Sequence, residues 1–173
     1  MNTRKAILTG LVVFVLTAAS FAQQVKTDYD RNANFSKYKT FSFEKVQTAD
    51  PLWVDRIKSA VSSALTAKGM TQVDSGGDIS IIAIEMTNTQ QTLDTFYNGF
   101  GGGWRWGGRF GDATTTTETY QVGTLVVDLY DSSTKELLWR GSASDTLSNK
   151  SSNNIKNLDK GVEKMFKKYP PKA

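Results

Sequence analysis

The spacing of apolar residues changes period along this chain, and the changes outline its elements. In residues 123–141, GTLVVDLYDSSTKELLWRG, Leu125, Val127 and Leu129 alternate with Val126, Asp128 and Tyr130. A two-residue period puts the two sets on opposite faces of a strand. Residues 131–135 (DSSTK) are mostly short polar side chains that hydrogen-bond their own backbone, which favours a turn. Leu137, Leu138 and Trp139 resume the apolar run, so the stretch predicts a hairpin whose second strand continues through residues 142–147. A hairpin alone is marginal in water, so other elements must cover it.

Upstream, residues 25–31 alternate loosely as a first strand, Asn32-Ala33-Asn34 punctuates it, and Phe35 and Tyr38 dock the connection. Residues 39–45 (KTFSFEK) set Phe41 and Phe43 opposite Thr40, Ser42 and Glu44, the pattern of a half-buried strand. A helix follows. Asp50 can cap it, Pro51 suits its first position, and Val54, Ile57, Val61, Ala64 and Leu65 make one apolar stripe before Gly69 stops it. Residues 70–73 read as a short strand or loop edge, and residues 74–77 as a turn. Residues 78–87 (DISIIAIEMT) are apolar at both alternations, Ile79/Ile81/Ala83 and Ile82/Ile84/Met86. That predicts a central strand covered on both faces, with Glu85 near the edge of the covering layer.

Residues 97–112, YNGFGGGWRWGGRFGD, break the pattern and hold seven of the chain's 14 glycines. Glycine at this density makes regular structure entropically costly, which predicts a mobile loop or irregular hairpin tip. Residues 114–120 (TTTTETY) are β-prone and lead back to Gly123. A last helix takes its N-cap from residues 151–154, buries Ile155, Leu158, Val162, Met165, Phe166 and Tyr169, and ends at Pro170-Pro171. The order is β-β-α-(β)-β-loop-β-β-α. It predicts an α+β fold: a two-layer α/β sandwich with a mostly antiparallel or mixed sheet and two amphipathic helices on one face.

The opening residues have a different character. Arg4 and Lys5 precede an apolar stretch, residues 7–19, and Ser20-Phe21-Ala22 places small residues at the −3 and −1 positions of a signal peptidase site. Residues 1–22 thus read as a secretory signal peptide cleaved after about Ala22, leaving residues 23–173 as a single α/β domain. Arg4 and Lys5 are the leader's only charges, so the formal net charge of +4 falls by two without it. That balance argues against a nucleic-acid partner. The chain has no cysteine, so a lipid cannot be attached through one. The expected location is the periplasm or the medium, with membrane contact at most peripheral.

The segments VKTDYDRNANFSKYKTFSF, PLWVDRIKSAVSSALTAKGM, GGDISI and GTLVVDLYDSSTKELLWRGSASDTL, followed by KKYPP, resemble the bacterial domain-of-unknown-function family 4136 over residues 25–170. The shared pattern is the aspartate-flanked first strand, the helix ending in Lys-Gly, the G-T-L strand and the W-R-G step. Many members look like envelope lipoproteins, and this chain departs from them in lacking a cysteine to acylate. The family has no assigned activity, so the resemblance implies a fold and an envelope location but no catalytic residue.

Composition removes several chemistries. Without His or Cys, Ser-His-Asp and Cys-His catalysis and the usual zinc ligand sets are excluded. The glycine-rich segment matches neither G-x-G-x-x-G nor a G-K-[ST] phosphate loop. Asp28 and Asp30 lie two apart and could bind calcium or act as a carboxylate pair, but the solvated edge of a strand is the simpler reading. Asp128, set among apolar neighbours, pairs with Arg140 across the predicted hairpin. Lys156, Lys160 and Lys164, with Lys167 and Lys168 beyond, fall opposite the last helix's apolar stripe. They offer a surface for anionic lipid or polysaccharide, though a solvated helix face explains them as well.

The sharpest candidate contact set is Tyr97, Phe100, Trp104, Arg105, Trp106, Arg109 and Phe110. Flat aromatic faces beside cationic donors suit sugar rings, a bilayer surface or a protein partner, while the alternative is that these aromatics cover the open face of the sheet. The expectation is therefore a non-catalytic exported envelope protein, a binding or assembly module with no cofactor or metal, whose partner is an envelope protein or glycan. The alternative is a carbohydrate-binding accessory protein for peptidoglycan or lipopolysaccharide that uses the Gly/Trp loop. A carboxylate glycosidase, third in order, requires two acids facing each other across a cleft.

Overall fold

The computed structural model describes residues 23–97 and 113–171. Its strands are β1 (Gln24–Tyr29), β2 (Thr40–Gln47), β3 (Thr71–Gln72), β4 (Ile79–Tyr97), β5 (Ala113–Asp131) and β6 (Leu137–Thr146). Helix α1 (Leu52–Thr66) lies between β2 and β3, and α2 (Ser151–Phe166) follows β6. The six strands form one mixed sheet in the order β1-β6-β5-β4-β2-β3. β2 runs parallel to both β3 and β4, and the remaining pairs are antiparallel. Both helices pack on one face, giving the predicted two-layer α+β sandwich.

That face is built from one alternation of each central strand. Ile79, Ile81 and Ala83 of β4 lie beside Leu129 and Val127 of β5, with Trp139, Gly141 and Ala143 of β6 beyond. Ile57, Val61 and Leu65 of α1, and Val162, Met165 and Phe166 of α2, close over them. The Trp139 ring stacks on Phe166 at 4.7 Å, and Tyr169 meets both rings edge-on at 5.7 Å. The stack needs the glycine two residues on. A Cβ at Gly141 would fall 2.4 Å from Trp139 Cη2 and 2.9 Å from Met165 Sδ. A register shift between Leu129 and Tyr130 leaves Leu138 as an extra residue, so Leu138 and Trp139 are both buried although adjacent.

The GGD turn before β4 is equally constrained. A Cβ at Gly77 would come within 2.5 Å of the Phe41 carbonyl carbon. Asp78 accepts the backbone N–H of Lys39 at 2.8 Å and of Thr40 at 2.9 Å, tying the start of β2 to that of β4. These bonds hold its carboxyl below the ordinary aspartate value. Helix α1 begins as predicted, with Asp50 Oδ1 accepting the Leu52 N–H at 3.0 Å, and Gly69 stops it at φ +83°.

Three expectations are corrected. β4 is not covered on both faces: Ile82 and Ile84 are only half-buried and Met86 is 47% exposed on the side away from the helices. Among the described residues their shielding comes from neighbouring strands, since β4 lies inside the sheet, and not from a second layer. Residues 88–96, which carry no apolar alternation, are strand, and β4 and β5 pair as far as Tyr97↔Ala113. The cap of α2 lies upstream of residues 151–154. Ser148 Oγ accepts the Lys150 N–H at 3.2 Å, and Asn154 reaches back to both the N–H and the carbonyl of Ser148.

Gly141→Ala should lower stability by about 2 kcal/mol, a fall of roughly 4–8 °C in Tm, because the added methyl displaces Trp139 or Met165 from a filled core. Thermal unfolding followed by circular dichroism checks this.

Candidate functional site

The acids that the sequence offered for chemistry are mostly engaged. Asp128 is 5% exposed, and its two carboxylate oxygens accept Arg140 Nε and Nη2, each at 2.6 Å. The pair faces away from the helices and stands directly across β5 and β6, as predicted. The fork also holds the guanidinium charged well above its ordinary value. Asp28 lies across from Arg140 on β1, but its carboxylate accepts the Tyr29 N–H at 2.9 Å. Asp30 accepts the Asn32 N–H at the same distance. Both are local backbone caps.

Asp131 is the most heavily engaged. Oδ1 accepts Ser133 N–H at 2.9 Å, Ser133 Oγ at 2.5 Å and Thr134 N–H at 3.2 Å, which makes the hairpin turn. Oδ2 accepts Tyr38 Oη at 2.8 Å and Lys37 Nζ at 3.1 Å, tying that turn to the link before β2. The Ser133 hydroxyl, then Tyr38, hold this carboxyl far below the usual carboxylate range.

A concave site lies elsewhere, where the helix layer runs out toward the far ends of β4 and β5. It is a cleft of about 190 Å³ between the first turns of the two helices. Gly123, Leu125, Ala143 and Leu147 form an apolar floor, with Trp53 of α1 and Leu158 of α2 as walls. A Cβ at Gly123 would fall 2.8 Å from Leu147 Cδ2, so the glycine of the G-T-L strand lets Leu147 lie across the floor. At Gly161 a Cβ would meet Ala143 Cβ at 3.1 Å and Gln23 Nε2 at 2.9 Å, which fixes how closely α2 approaches β6. Gln23 Nε2 donates to the Asn157 carbonyl at 2.7 Å.

The rim is one-signed. Among the described residues, Asp50, Glu85 and Asp145 line the cleft and no Lys or Arg does. Asp50 serves the α1 N-terminus. Glu85 accepts Thr48 Oγ1 at 2.8 Å and Thr87 Oγ1 at 2.9 Å, and Asp145 accepts the Thr146 N–H at 2.8 Å. Among the described residues, ion pairs join Lys37–Asp131, Lys135–Glu44 and Arg140–Asp128, and none of the rim acids has a cation. Arg56 lies 5.2 Å from the Trp53 ring. The arrangement offers an apolar slot with an aromatic wall and unneutralised carboxylates at its mouth.

A second, polar groove lies at the same end on the opposite sheet face. Gln24, Asn88, Gln90, Tyr120, Thr124 and Ser144 help to line it. Tyr120 Oη donates to Gln90 Oε1 at 3.1 Å, and the Thr124 and Ser144 hydroxyls bond at 2.9 Å.

Of the predicted contact residues, Tyr97 ends β4 opposite Ala113. Its side chain, and Phe100, Trp104, Arg105, Trp106, Arg109 and Phe110, lie outside the described residues. The lysines of α2 form an exposed face opposite Val162, Met165 and Phe166. The cleft residues were missed by sequence reasoning, save for one signal: Glu85 as the acid on an otherwise apolar face.

A family model described as a domain of unknown function (DUF4136) matches residues 25–171. The chain belongs to this family. Among curated proteins, none shows significant sequence similarity to this DUF4136 chain. Solved structures with a similar fold include a PDZ domain protein from Parabacteroides distasonis, at TM-score 0.51 and 19% identity over 87% of this chain. The DUF4136 chain spans only 37% of that structure's length. Others are a PelC dodecamer from Paraburkholderia phytofirmans (TM-score 0.48, 14% identity, 82% of this chain and 96% of that one) and lipoprotein GNA1162 from Neisseria meningitidis (0.41, 13%, 72% and 94%). At these identities the first likeness is one of fold.

Arg140→Ala, which leaves the Asp128 carboxylate buried without its partner, should cost about 2–3 kcal/mol, and Asp128→Leu/Arg140→Leu should cost less than that single change. Urea denaturation of both variants decides it. Asp131 has a separate signature in pH. Its folded-state pKa is depressed, so its contribution is complete above the unfolded value of 3.8 and is lost as pH falls below it. Asp131→Asn should therefore flatten the fall in Tm on the acid side of pH 3.8, measured against the parent over the same pH series.

Proposed function

We propose that this is an exported envelope protein whose domain is a non-catalytic binding module, and that the cleft beside Trp53 takes an apolar group carrying a positive charge. The leader pattern of residues 1–22 supports export without a cysteine-linked lipid, into the periplasm or the medium. The observation that carries the binding reading is the lining: Leu125, Ala143 and Leu147 below, Trp53 beside, and three acids at the rim with no base among the described residues. Apolar floor and aromatic wall reward burial of hydrocarbon, while Glu85 and Asp145 favour a cation at the mouth.

The glycosidase alternative finds carboxylates at this cleft, but a floor of aliphatic carbon is a poor surface for the hydroxyls of a sugar. Asp128 and Asp131, held by Arg140 and by Tyr38 and Ser133, are committed to the fold. Both features favour binding over catalysis.

The carbohydrate reading has its own support in the polar groove of Gln24, Asn88, Gln90 and Tyr120, where amides and an aromatic ring match sugar hydroxyls and ring faces. In that reading Trp104 and Trp106 add stacking surfaces.

The two readings separate in one titration series followed by NMR. A long-chain alkyltrimethylammonium should shift the Trp53 indole N–H signal and bind more tightly than a neutral alcohol of equal chain length. Trp53→Ala should weaken it by about tenfold, and Glu85→Gln/Asp145→Asn should erase its preference over the alcohol. Equal binding of the two probes, or an unaffected Trp53→Ala variant, sinks the cleft reading. Muropeptides should instead perturb Gln90 and Tyr120, with binding lost in Trp104→Ala/Trp106→Ala; no perturbation removes the carbohydrate reading.

A further inference from the structure

Beyond the body of the sheet, β4 and β5 continue with only each other for company. β2 pairs with β4 no further than Gln47↔Ile84, and β6 pairs with β5 no further than Thr146↔Val122. One more bond, from Leu147 N–H to the Gln121 carbonyl, ends the contact. From Asn88↔Val122 to Tyr97↔Ala113 the two strands run in unbroken antiparallel register, a ribbon of about 30 Å at ~3.3 Å per residue. Residues 88–91 and 117–119 are exposed. Among the described residues no strand pairs along the ribbon's outer edges beyond Val122 and the Gln121 carbonyl.

Such edges present rows of N–H and C=O groups, and proteins ordinarily guard them with Lys, Pro, a bulge or short length. None of those guards is here. Residues 88–97, NTQQTLDTFY, and 113–122, ATTTTETYQV, contain no Lys, Arg, Pro or Gly, and the pairing has no register shift. A two-stranded ribbon without a packed face is marginal in water. Neither alternation of these runs is apolar, so they cannot present a lipid-facing band. What they offer is backbone pairing.

The two outer edges belong to strands of opposite direction, so the β4 edge of one copy complements the β5 edge of another in the sense already used inside the chain. That internal register sets Gln91 against Thr119, Thr92 against Glu118 and Asp94 against Thr116, with no acid opposite an acid. Pairing two β5 edges about their centre would instead bring Glu118 close to its own copy, which is unfavourable. We infer that the ribbon pairs between copies of this chain, β4 of one against β5 of the next, extending the sheet through a homo-oligomer. The ribbon is a different surface from the cleft, so this holds or fails independently of what the cleft binds.

Because the chain has no cysteine, introduced thiols report cleanly. Full-length mature protein carrying Gln91→Cys is mixed in turn with Thr117→Cys, Thr119→Cys and Gln121→Cys protein and oxidised. At least one mixture should give a mixed disulfide dimer in high yield, while Ser59→Cys, exposed on α1, gives none above background. In parallel, native mass spectrometry of the parent should show an oligomer, and Thr117→Lys/Thr119→Lys should reduce it wholly to monomer without changing the unfolding midpoint of the body. A parent that stays monomeric well above micromolar concentration overturns the inference. So does an oligomer that survives the lysine pair, or mixed disulfides no more abundant than with Ser59→Cys.

Discussion

Trp139 lies flat against Phe166 only because residue 141 has no side chain, and much of the helix layer is set by that contact. The ring extends from β6 over the space above Gly141, Met165 closes the far side, and Tyr169 locks both rings edge-on. One turn earlier, Gly161 lets α2 settle against Ala143. These two glycines, one on the strand and one on the helix, fix the height of α2 above the sheet where packing tolerance is least. At the first turns of both helices no such contact draws them down. The cleft opens there, over Gly123 and Leu125, because close packing ends before the sheet does.

Charge is distributed by the same division. Inside the packed body each buried aspartate serves the fold. Asp131 closes the β5–β6 turn and holds Tyr38, and Asp128 is forked by Arg140. A carboxylate buried at 4–5% exposure is tolerable only with such partners. At the cleft the acids are half-exposed or exposed and lean on hydroxyls and backbone N–H groups in place of cations. Their exposure leaves the carboxylate oxygens accessible to a ligand.

Features encoded by local periodicity were readable from the sequence. The stripe Val54, Ile57, Val61, Leu65 defined α1, and the alternation of residues 125–130 with the polar turn at 131–135 defined the β5–β6 hairpin. The Asp128–Arg140 pair followed from counting positions across that turn. Other features depend on contacts remote in sequence. Nothing near Gly141 says that Trp139 must cross it, and the cleft gathers Trp53, Glu85, Leu125, Ala143 and Leu158 from five elements. The ribbon was hidden for another reason. Alternation reveals a strand when one face is apolar; residues 114–120 showed only a β-prone composition, and residues 88–97 had no apolar face to reveal. The double apolar alternation of residues 79–86 misled in the opposite sense, since lateral neighbours can shelter Ile82 and Ile84 without a second layer.

Ribbon and cleft meet in a single row of the sheet. Gly123 pairs with Thr87 on one side and Asp145 on the other, and Leu147, lying where a Cβ of Gly123 would be, donates the last backbone bond from the β6 end to β5. Beyond Gln121, among the described residues, β5 has only β4 beside it. The floor of the cleft is thus also the root of the ribbon, and the polar groove of Asn88, Gln90 and Tyr120 backs the same row from the other face. Ribbon and cleft therefore share the row of Thr87, Gly123 and Asp145, while the Trp139 stack lies several rows away at the other end of the sheet.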